Sequence, residues 1–161
     1  MEFEPIKPSS SIVVSIRSMD ASDLQQVTEL AIQLGYGPTF EEVSDRFSLL
    51  RHQPTVGFFV AHGADPTVIS GWIHVYGVHT LVSTPYAEIG GIVVDEATRR
   101  SGVGGAMMNC AEQWALRHGY REVRLRSGHH REVAHRFYKS IGYEIGRASH
   151  TFRRQIGADV R

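Results

Sequence analysis

The chain lacks the features of membrane proteins and of disulfide-stabilised proteins. Its 161 residues include a single cysteine, Cys110, which cannot form a disulfide within the chain, so a reducing compartment such as the cytoplasm is expected. No apolar run approaches the length of a transmembrane helix, and the polar N-terminus does not have the pattern of a signal peptide. The length predicts one domain over residues 11–156, with a loose leader at 1–10 and a short tail at 157–161.

The chain also lacks net charge, because 17 basic residues balance 17 acidic ones. This balance argues against a nucleic-acid partner. The charges are unevenly distributed, however: residues 20–95 have a balance of −7 and residues 96–161 a balance of +7. Either the asymmetry is chance, or the C-terminal half binds an anionic cofactor while the N-terminal half attracts a cationic amine.

Hydrophobic periodicity and turn residues predict the element order β-α-α-β-β-β-α-β-α-β. We expect an α/β (α+β) fold in which about four helices flank a mixed central sheet of six to seven strands. Predicted strands cover residues 12–17, 55–62, 67–78, 86–95, 121–126 and 143–154. Predicted helices begin at Asp20 or Ser22, at Thr39 (with Glu42 completing a capping box), at Gly102 and at Arg131, and the last two end at Gly119 and Gly142.

The most informative segment is residues 86–105. An apolar strand carrying Glu88 and a Gly-Gly pair leads into the turn Arg99-Arg100-Ser101-Gly102-Val103-Gly104-Gly105 and then into a helix. A glycine-rich turn at a helix N-terminus leaves backbone N–H groups free for an anion, and arginines add charges suited to phosphate. A dinucleotide fingerprint would need a third glycine where Met107 stands, and a P-loop would need Gly-Lys-Ser/Thr, which is absent. The segment therefore predicts a pyrophosphate cradle of another kind.

Two motifs resemble one family. The spacing Arg99-x-x-Gly102-x-Gly104 after a strand resembles the coenzyme A turn of the GNAT acetyltransferase superfamily. Residues 134–143, Ala-His-Arg-Phe-Tyr-Lys-Ser-Ile-Gly-Tyr, are similar to the A-x-x-F-Y-x-x-x-G-[FY] segment that closes the same fold. The resemblance covers about residues 86–145 and implies an N-acetyltransferase that uses acetyl-CoA. No metal is expected, because the histidines near residue 130 lack a carboxylate or cysteine at ligand spacing.

The resemblance also implies two catalytic side chains. The position of Glu88 relative to Gly102 is similar to that of the general-base glutamate in the histone-acetylating branch, where a carboxylate with a raised pKa accepts the amine proton. The alternative is a surface-facing strand residue. The Gly-Gly pair favours the catalytic interpretation, since interior glycines mark a bulge that re-aims side chains. Tyr138 is implied to protonate the departing thiolate, and its alternative is a core tyrosine.

Contacts to the cofactor follow from the same resemblance. Backbone N–H groups near Val93 and Val94 would hold the acetyl carbonyl, and the turn would hold pyrophosphate. Many relatives have an asparagine before the last helix to bind the pantetheine arm, and this chain departs from them with His129, His130 and Arg131. The full predicted cofactor set is Val93, Val94, Arg99, Arg100, Ser101, Gly102, Val103, Gly104, Gly105, His130, Arg131, Ala134 and Tyr138.

The acceptor is predicted to be the primary amine of a small cationic molecule, attacking acetyl-CoA directly in a ternary complex. Cys110 lies in a predicted core-facing helix, so it is not expected to carry the acyl group. The predicted acceptor-binding residues are Tyr36, Trp72, His74 and Glu88. Two rivals stay open: a protein N-terminal or lysine acetyltransferase, and a non-catalytic acyl-CoA-binding module. No membrane partner is expected, and an exposed final strand would permit a homodimer.

Overall fold

The computed structural model describes residues 13–157 of the chain. These residues form two compact units, 13–126 and 127–157. The predicted leader at 1–10 lies outside the described residues, as does most of the predicted tail. The first unit contains β1 (Ser15–Ser18), α1 (Leu24–Gln33), α2 (Phe40–Leu50), β2 (Val56–His62), β3 (Ile69–Val78), β4 (Tyr86–Val94), α3 (Val103–Arg117) and β5 (Val123–Leu125), and the second contains α4 (Glu132–Ser140).

The strands form one mixed sheet in the order β1-β2-β3-β4-β5. The first four strands are antiparallel, and β5 runs parallel to β4. Since β5 pairs with β4 only from Ala87 to Ile89, the second half of β4 extends beyond its shorter neighbour. Within the described residues the sheet thus opens on one side of β4.

Capping hydrogen bonds and glycines at positive φ determine where the helices begin and end. Asp20 caps the 3-10 turn Ala21–Asp23 that leads into α1, and Thr39 caps α2, each with a reciprocal capping box. The box predicted for Thr39 and Glu42 is confirmed. Helix α3 is preceded by Gly102 and followed by Gly119, both at positive φ where a side chain is strained.

The two faces of the sheet are covered by different helices of the first unit. One face packs on α1 and α2 through a cluster that includes Val60, Leu24 and Phe47. The other face packs on α3, where strand glycines make room for bulky side chains. A Cβ on Gly71 would lie 2.9 Å from the Met107 methyl group. The face towards α1 and α2 is the one that also carries Glu88.

The predicted final strand at 143–154 is wrong, because residues 143–157 form neither helix nor strand. Within residues 13–157 the sheet therefore has five strands instead of six to seven. Apolar alternation forms a strand only where a partner and a buried face exist, whereas Ile145 and Phe152 are exposed. The edge strand invoked for a homodimer is therefore not formed. No helix within residues 13–157 is long and apolar enough to cross a membrane.

Candidate active site

Strand β4 contains the predicted bulge. Its pairing with β3 passes from Ile89 opposite Val75 to Gly91 opposite His74, so Gly90 is an extra residue without a partner on β3. A Cβ on Gly90 would lie 2.8 Å from His74 Nδ1, and one on Gly91 would lie 2.9 Å from the Trp72 ring. Real side chains do not approach so closely, so the Gly-Gly pair is what allows these two rings to lie against β4.

Glu88 lies two residues before this bulge and is buried, with 9% of its surface exposed. It stands opposite Tyr76 in the sheet, and its carboxylate interacts with the Tyr76 hydroxyl. The Arg126 Nε lies 3.3 Å from Glu88 Oε1, while the rest of the Arg126 side chain is exposed. The alternative of a surface-facing strand residue is therefore wrong. Burial and the nearby Glu88 carboxylate raise the pKa of Tyr76.

Three aromatic residues on β3, namely Trp72, His74 and Tyr76, share the face that carries Glu88. The His74 ring stacks on Phe58 at 4.4 Å between centroids and lies 5.3 Å from the Tyr76 ring. Burial lowers the pKa of His74 to about 4, so its imidazole is neutral near pH 7. The strand therefore presents an aromatic surface with neutral polar atoms beside a buried carboxylate.

Tyr36 occupies the predicted break between α1 and α2. Its side chain is largely exposed, with 68% of the residue's surface accessible. Its contact with an acceptor stays a prediction.

The turn after β4 has the geometry of an anion site. Arg100 and Gly102 have φ of 64° and 83°, and no side chain among the described residues caps α3. The first helical hydrogen bond of α3 runs from the Ala106 N–H to the Gly102 carbonyl at 3.0 Å, so the N–H groups of residues 103–105 precede the helical ladder. A Cβ on Gly102 or Gly105 would meet nothing within 4 Å. The open turn therefore fits a pyrophosphate group.

Side chains of the first unit hold this turn in place. Gln33 of α1 donates to Asp95 Oδ1 at 3.2 Å and accepts the Glu96 N–H at 3.0 Å. The Ser101 hydroxyl donates a hydrogen bond to the Thr98 carbonyl, so this side chain is hydrogen-bonded within the turn. Arg99 reaches Glu96 at 3.7 Å in an exposed ion pair. The role of Gln33 was not predicted from the sequence, because more than 60 residues separate it from the strand end that it supports.

In the open half of β4, the N–H groups of Val93 and Val94 face opposite sides of the strand. The Asp95 N–H donates to the Ser70 carbonyl on β3, and alternate residues of a strand point in opposite directions. The Val93 N–H therefore faces β3, whereas the Val94 N–H faces the side that β5 leaves uncovered. Of the two predicted donors to an acetyl carbonyl, Val94 has the better orientation.

The second unit carries the remaining predicted residues. On α4, the Tyr138 ring lies 5.3 Å from the Phe137 ring and 6.2 Å from the Tyr143 ring. Burial raises the pKa of Tyr138, and the charge of Arg131 partly offsets this, so the phenol is protonated at neutral pH. His130 is exposed, and Ala134 is half-buried. Their contacts with a cofactor stay predictions.

Two partners of Glu88 were also missed from the sequence. Tyr76 alternates with Trp72 and His74 on β3, and Arg126 continues the alternation of β5. The sequence pattern was therefore consistent with either residue facing the side of the sheet that carries Glu88. Their contact with Glu88 depends on strand register, which periodicity alone does not determine.

Comparison with known proteins identifies the family of the chain. Residues 24–143 match the model of the Acetyltransferase (GNAT) family. The chain belongs to this family, and it is an acyltransferase with the GNAT fold.

Solved structures share the fold. The aminoglycoside N-acetyltransferase AAC(6')-Iy in complex with CoA is 19% identical, with a TM-score of 0.82 over 94% of this chain and 100% of that one. AAC(6')-Ih from Acinetobacter baumannii is 19% identical, with a TM-score of 0.79 over 90% and 100%. A putative acetyltransferase from Agrobacterium tumefaciens is 27% identical, with a TM-score of 0.75 over 87% and 99%. No curated protein matches the chain by sequence.

The turn geometry predicts that Gly102→Ala weakens acetyl-CoA binding. An alanine strained at a φ of 83° costs about 1–2 kcal/mol, and relaxing that strain displaces the free N–H groups. Gly119→Ala is the matched control, because it has a φ of 84° and equally open surroundings at the other end of α3. Both variants should lose similar thermal stability, whereas only Gly102→Ala should raise the Kd for acetyl-CoA, by roughly tenfold, in calorimetric titration. Equal Kd values for the two variants would contradict the assignment.

Proposed function

We propose that the protein transfers the acetyl group of acetyl-CoA to the primary amine of a small cationic molecule, by direct attack in a ternary complex. The observation that carries the proposal is the buried Glu88 carboxylate beside the bulge of β4. The same strand is followed, after a 3-10 turn at Glu96–Thr98, by the open turn at Gly102. The strand thus supplies a proton acceptor in its first half, and the turn that follows it supplies an anion site.

Each group has a role in this reaction. The turn binds pyrophosphate, and the Val94 N–H stabilises the oxygen of the acetyl carbonyl as charge develops on it. Acetyl-CoA supplies the thioester. The amine nitrogen forms a bond to the acetyl carbon, the carbon–sulfur bond breaks, Glu88 accepts the amine proton and Tyr138 protonates the thiolate. Tyr76 and Arg126 orient the Glu88 carboxylate, since both contact it.

Two observations support a small cationic acceptor. The acidic balance of residues 20–95 attracts cations, and the face of Glu88 is lined by aromatic rings that suit a compact molecule. The fold neighbours named for aminoglycoside acetylation lend further support to this acceptor class. The test is thiol release from acetyl-CoA against aminoglycosides, polyamines, amino-acid amides and short peptides. Activity on peptides alone would favour a protein acetyltransferase, and no activity on any amine would favour a binding module.

Glu88→Gln should lower kcat by about 100-fold or more, because the amide cannot accept the amine proton. The Kd for acetyl-CoA should stay within about twofold of the parent, since the anion site lies in the turn beyond the strand. Glu29→Gln, which replaces an exposed carboxylate on α1, is the control and should keep the parent rate. Thiol-release kinetics and calorimetric titration measure the two quantities. An unchanged kcat in Glu88→Gln would contradict the base assignment.

Tyr138→Phe should slow thiol release by roughly tenfold while sparing acetyl-CoA binding. The effect is modest, because a thiol with a pKa near ~8.5 is a fair leaving group even without a proton donor. Tyr86→Phe removes a phenol on β4 and serves as the control. A parent-like rate in Tyr138→Phe would show that this hydroxyl does not serve the thiolate.

A further inference from the structure

The carboxylate of Glu88 is shared with an arginine from just beyond the end of β5. The Arg126 Nε lies 3.3 Å from Glu88 Oε1, and 76% of the Arg126 side chain is exposed, compared with 12% of the Glu88 side chain. A guanidinium group carries N–H donors on all three of its nitrogens in one plane. The Nε contact uses one of these donors, so the exposed end of Arg126 retains donors for another group.

The neighbouring arginine on β5 is arranged differently. Arg124 stands opposite Glu88 in the sheet, but its Nε and one terminal nitrogen donate to Glu122 at 2.8 and 3.2 Å. Its guanidinium also lies 3.8 Å from the centre of the Tyr86 ring. Arg124 is therefore balanced by an acidic neighbour, whereas Arg126 has the proposed catalytic base itself as its ion-pair partner.

This arrangement sets a condition on the acceptor. A primary amine is largely an ammonium ion near neutral pH, and it has to approach the carboxylate that Arg126 already contacts. Two cations beside one anion repel each other, and the repulsion is stronger where water is partly excluded. Arg124 and Glu122 balance each other and do not offset it. An anionic group on the acceptor, bound at the exposed end of Arg126, removes the imbalance.

A carboxylate directly beside the amine meets this condition. The planar fork of an arginine matches the two oxygens of a carboxylate. In an α-amino acid a single carbon separates the amine nitrogen from the carboxyl carbon. This short separation suits two side chains that are themselves in contact, with the amine against Glu88 and the carboxylate against Arg126. A polyamine or a peptide N-terminus has no carboxylate at that position.

We propose that Arg126 binds the α-carboxylate of the acceptor, so that the acceptor is a free α-amino acid with a cationic side chain and is acetylated on its α-amine. This inference rests on the proposed function and specifies its substrate class. The α-nitrogen bonds to the acetyl carbon, the carbon–sulfur bond breaks, and the amine proton passes to Glu88. Arg126 is then a specificity-determining residue in addition to orienting Glu88.

The test compares L-lysine with L-lysinamide, which differ in the carboxylate that Arg126 is proposed to bind. The ratio of kcat/KM for lysine to that for lysinamide, measured by thiol release, should fall by about tenfold or more in Arg126→Gln. Arg126→Lys keeps the charge but not the fork, so its ratio should be intermediate. Comparing the same two substrates across variants cancels the difference in their amine basicity.

Arg124→Gln is the matched control, because it removes an equal charge from the neighbouring arginine while Arg126 stays in place. Its lysine-to-lysinamide ratio should stay within about twofold of the parent, since charges without direct contact are screened. Mass spectrometry of the lysine product should place the acetyl group on the α-nitrogen. If Arg126→Gln is inactive on both substrates, the same ratio is measured from their Kd values in calorimetry and from the rates of Arg126→Lys.

Other results would overturn the inference. Equal losses on lysine and lysinamide in Arg126→Gln would mean that Arg126 orients Glu88 and reads no carboxylate. An equal fall of the ratio in Arg124→Gln would mean that general positive charge, and no specific contact, attracts the acceptor. Acetylation on the side-chain nitrogen of lysine would place the carboxylate away from Arg126.

The proposed function fails separately. If lysine binds more tightly than lysinamide, and Arg126→Gln loses this preference, but no amine releases thiol, the carboxylate site stands and acetyl transfer does not. If lysinamide and cadaverine, which is lysine without its carboxylate, are acetylated at least as well as lysine and Arg126→Gln leaves the ratio unchanged, the enzyme assignment stands and the carboxylate site is wrong. If neither lysine nor arginine binds or reacts, the inference is wrong whatever other amines do.

Discussion

The site depends on one steric constraint, the absence of side chains at Gly90 and Gly91 of β4. A Cβ at either position would collide with His74 or Trp72. Because both positions are glycine, two polar aromatic rings lie against the strand, and the extra residue at Gly90 resets the register between β3 and β4. That register sets Tyr76 opposite Glu88. The buried carboxylate, its phenol partner and the aromatic surface therefore follow from the same bulge.

The other half of β4 provides the second part of the site. Since β5 pairs only as far as Ile89, the strand continues with one edge open and then enters the turn at Gly102. Within the first unit, hydrogen bonds poorly satisfy two sets of N–H groups. One is the N–H on the open edge of β4, and the other is the set at the start of α3, which has no side-chain cap. These groups are suited to an acyl carbonyl and to a pyrophosphate, both of which acetyl-CoA carries. In the proposed reaction, the amine meets the face of β4 and acetyl-CoA lies along its open edge.

Local signals in the sequence predicted much of this arrangement. The capping residues Asp20 and Thr39, the positive-φ glycines at both ends of α3 and the Gly-Gly bulge are each determined by a few neighbouring residues. The contacts of Tyr76, Arg126 and Gln33 depend on register and on long-range packing, so periodicity could not reveal them. The strand predicted at residues 143–154 is wrong for the same reason. Alternation of side chains describes one strand and does not show whether a partner strand is present.

The central claim is that acetyl passes directly from acetyl-CoA to an amine placed beside Glu88, without an acyl-enzyme. Initial rates of thiol release, measured while acetyl-CoA and the best amine of the panel are both varied, test this claim most directly. A ternary complex predicts double-reciprocal lines that intersect, and no acetyl group on the protein after incubation with acetyl-CoA alone. Parallel lines, together with an acetylated side chain such as Cys110, would contradict the account.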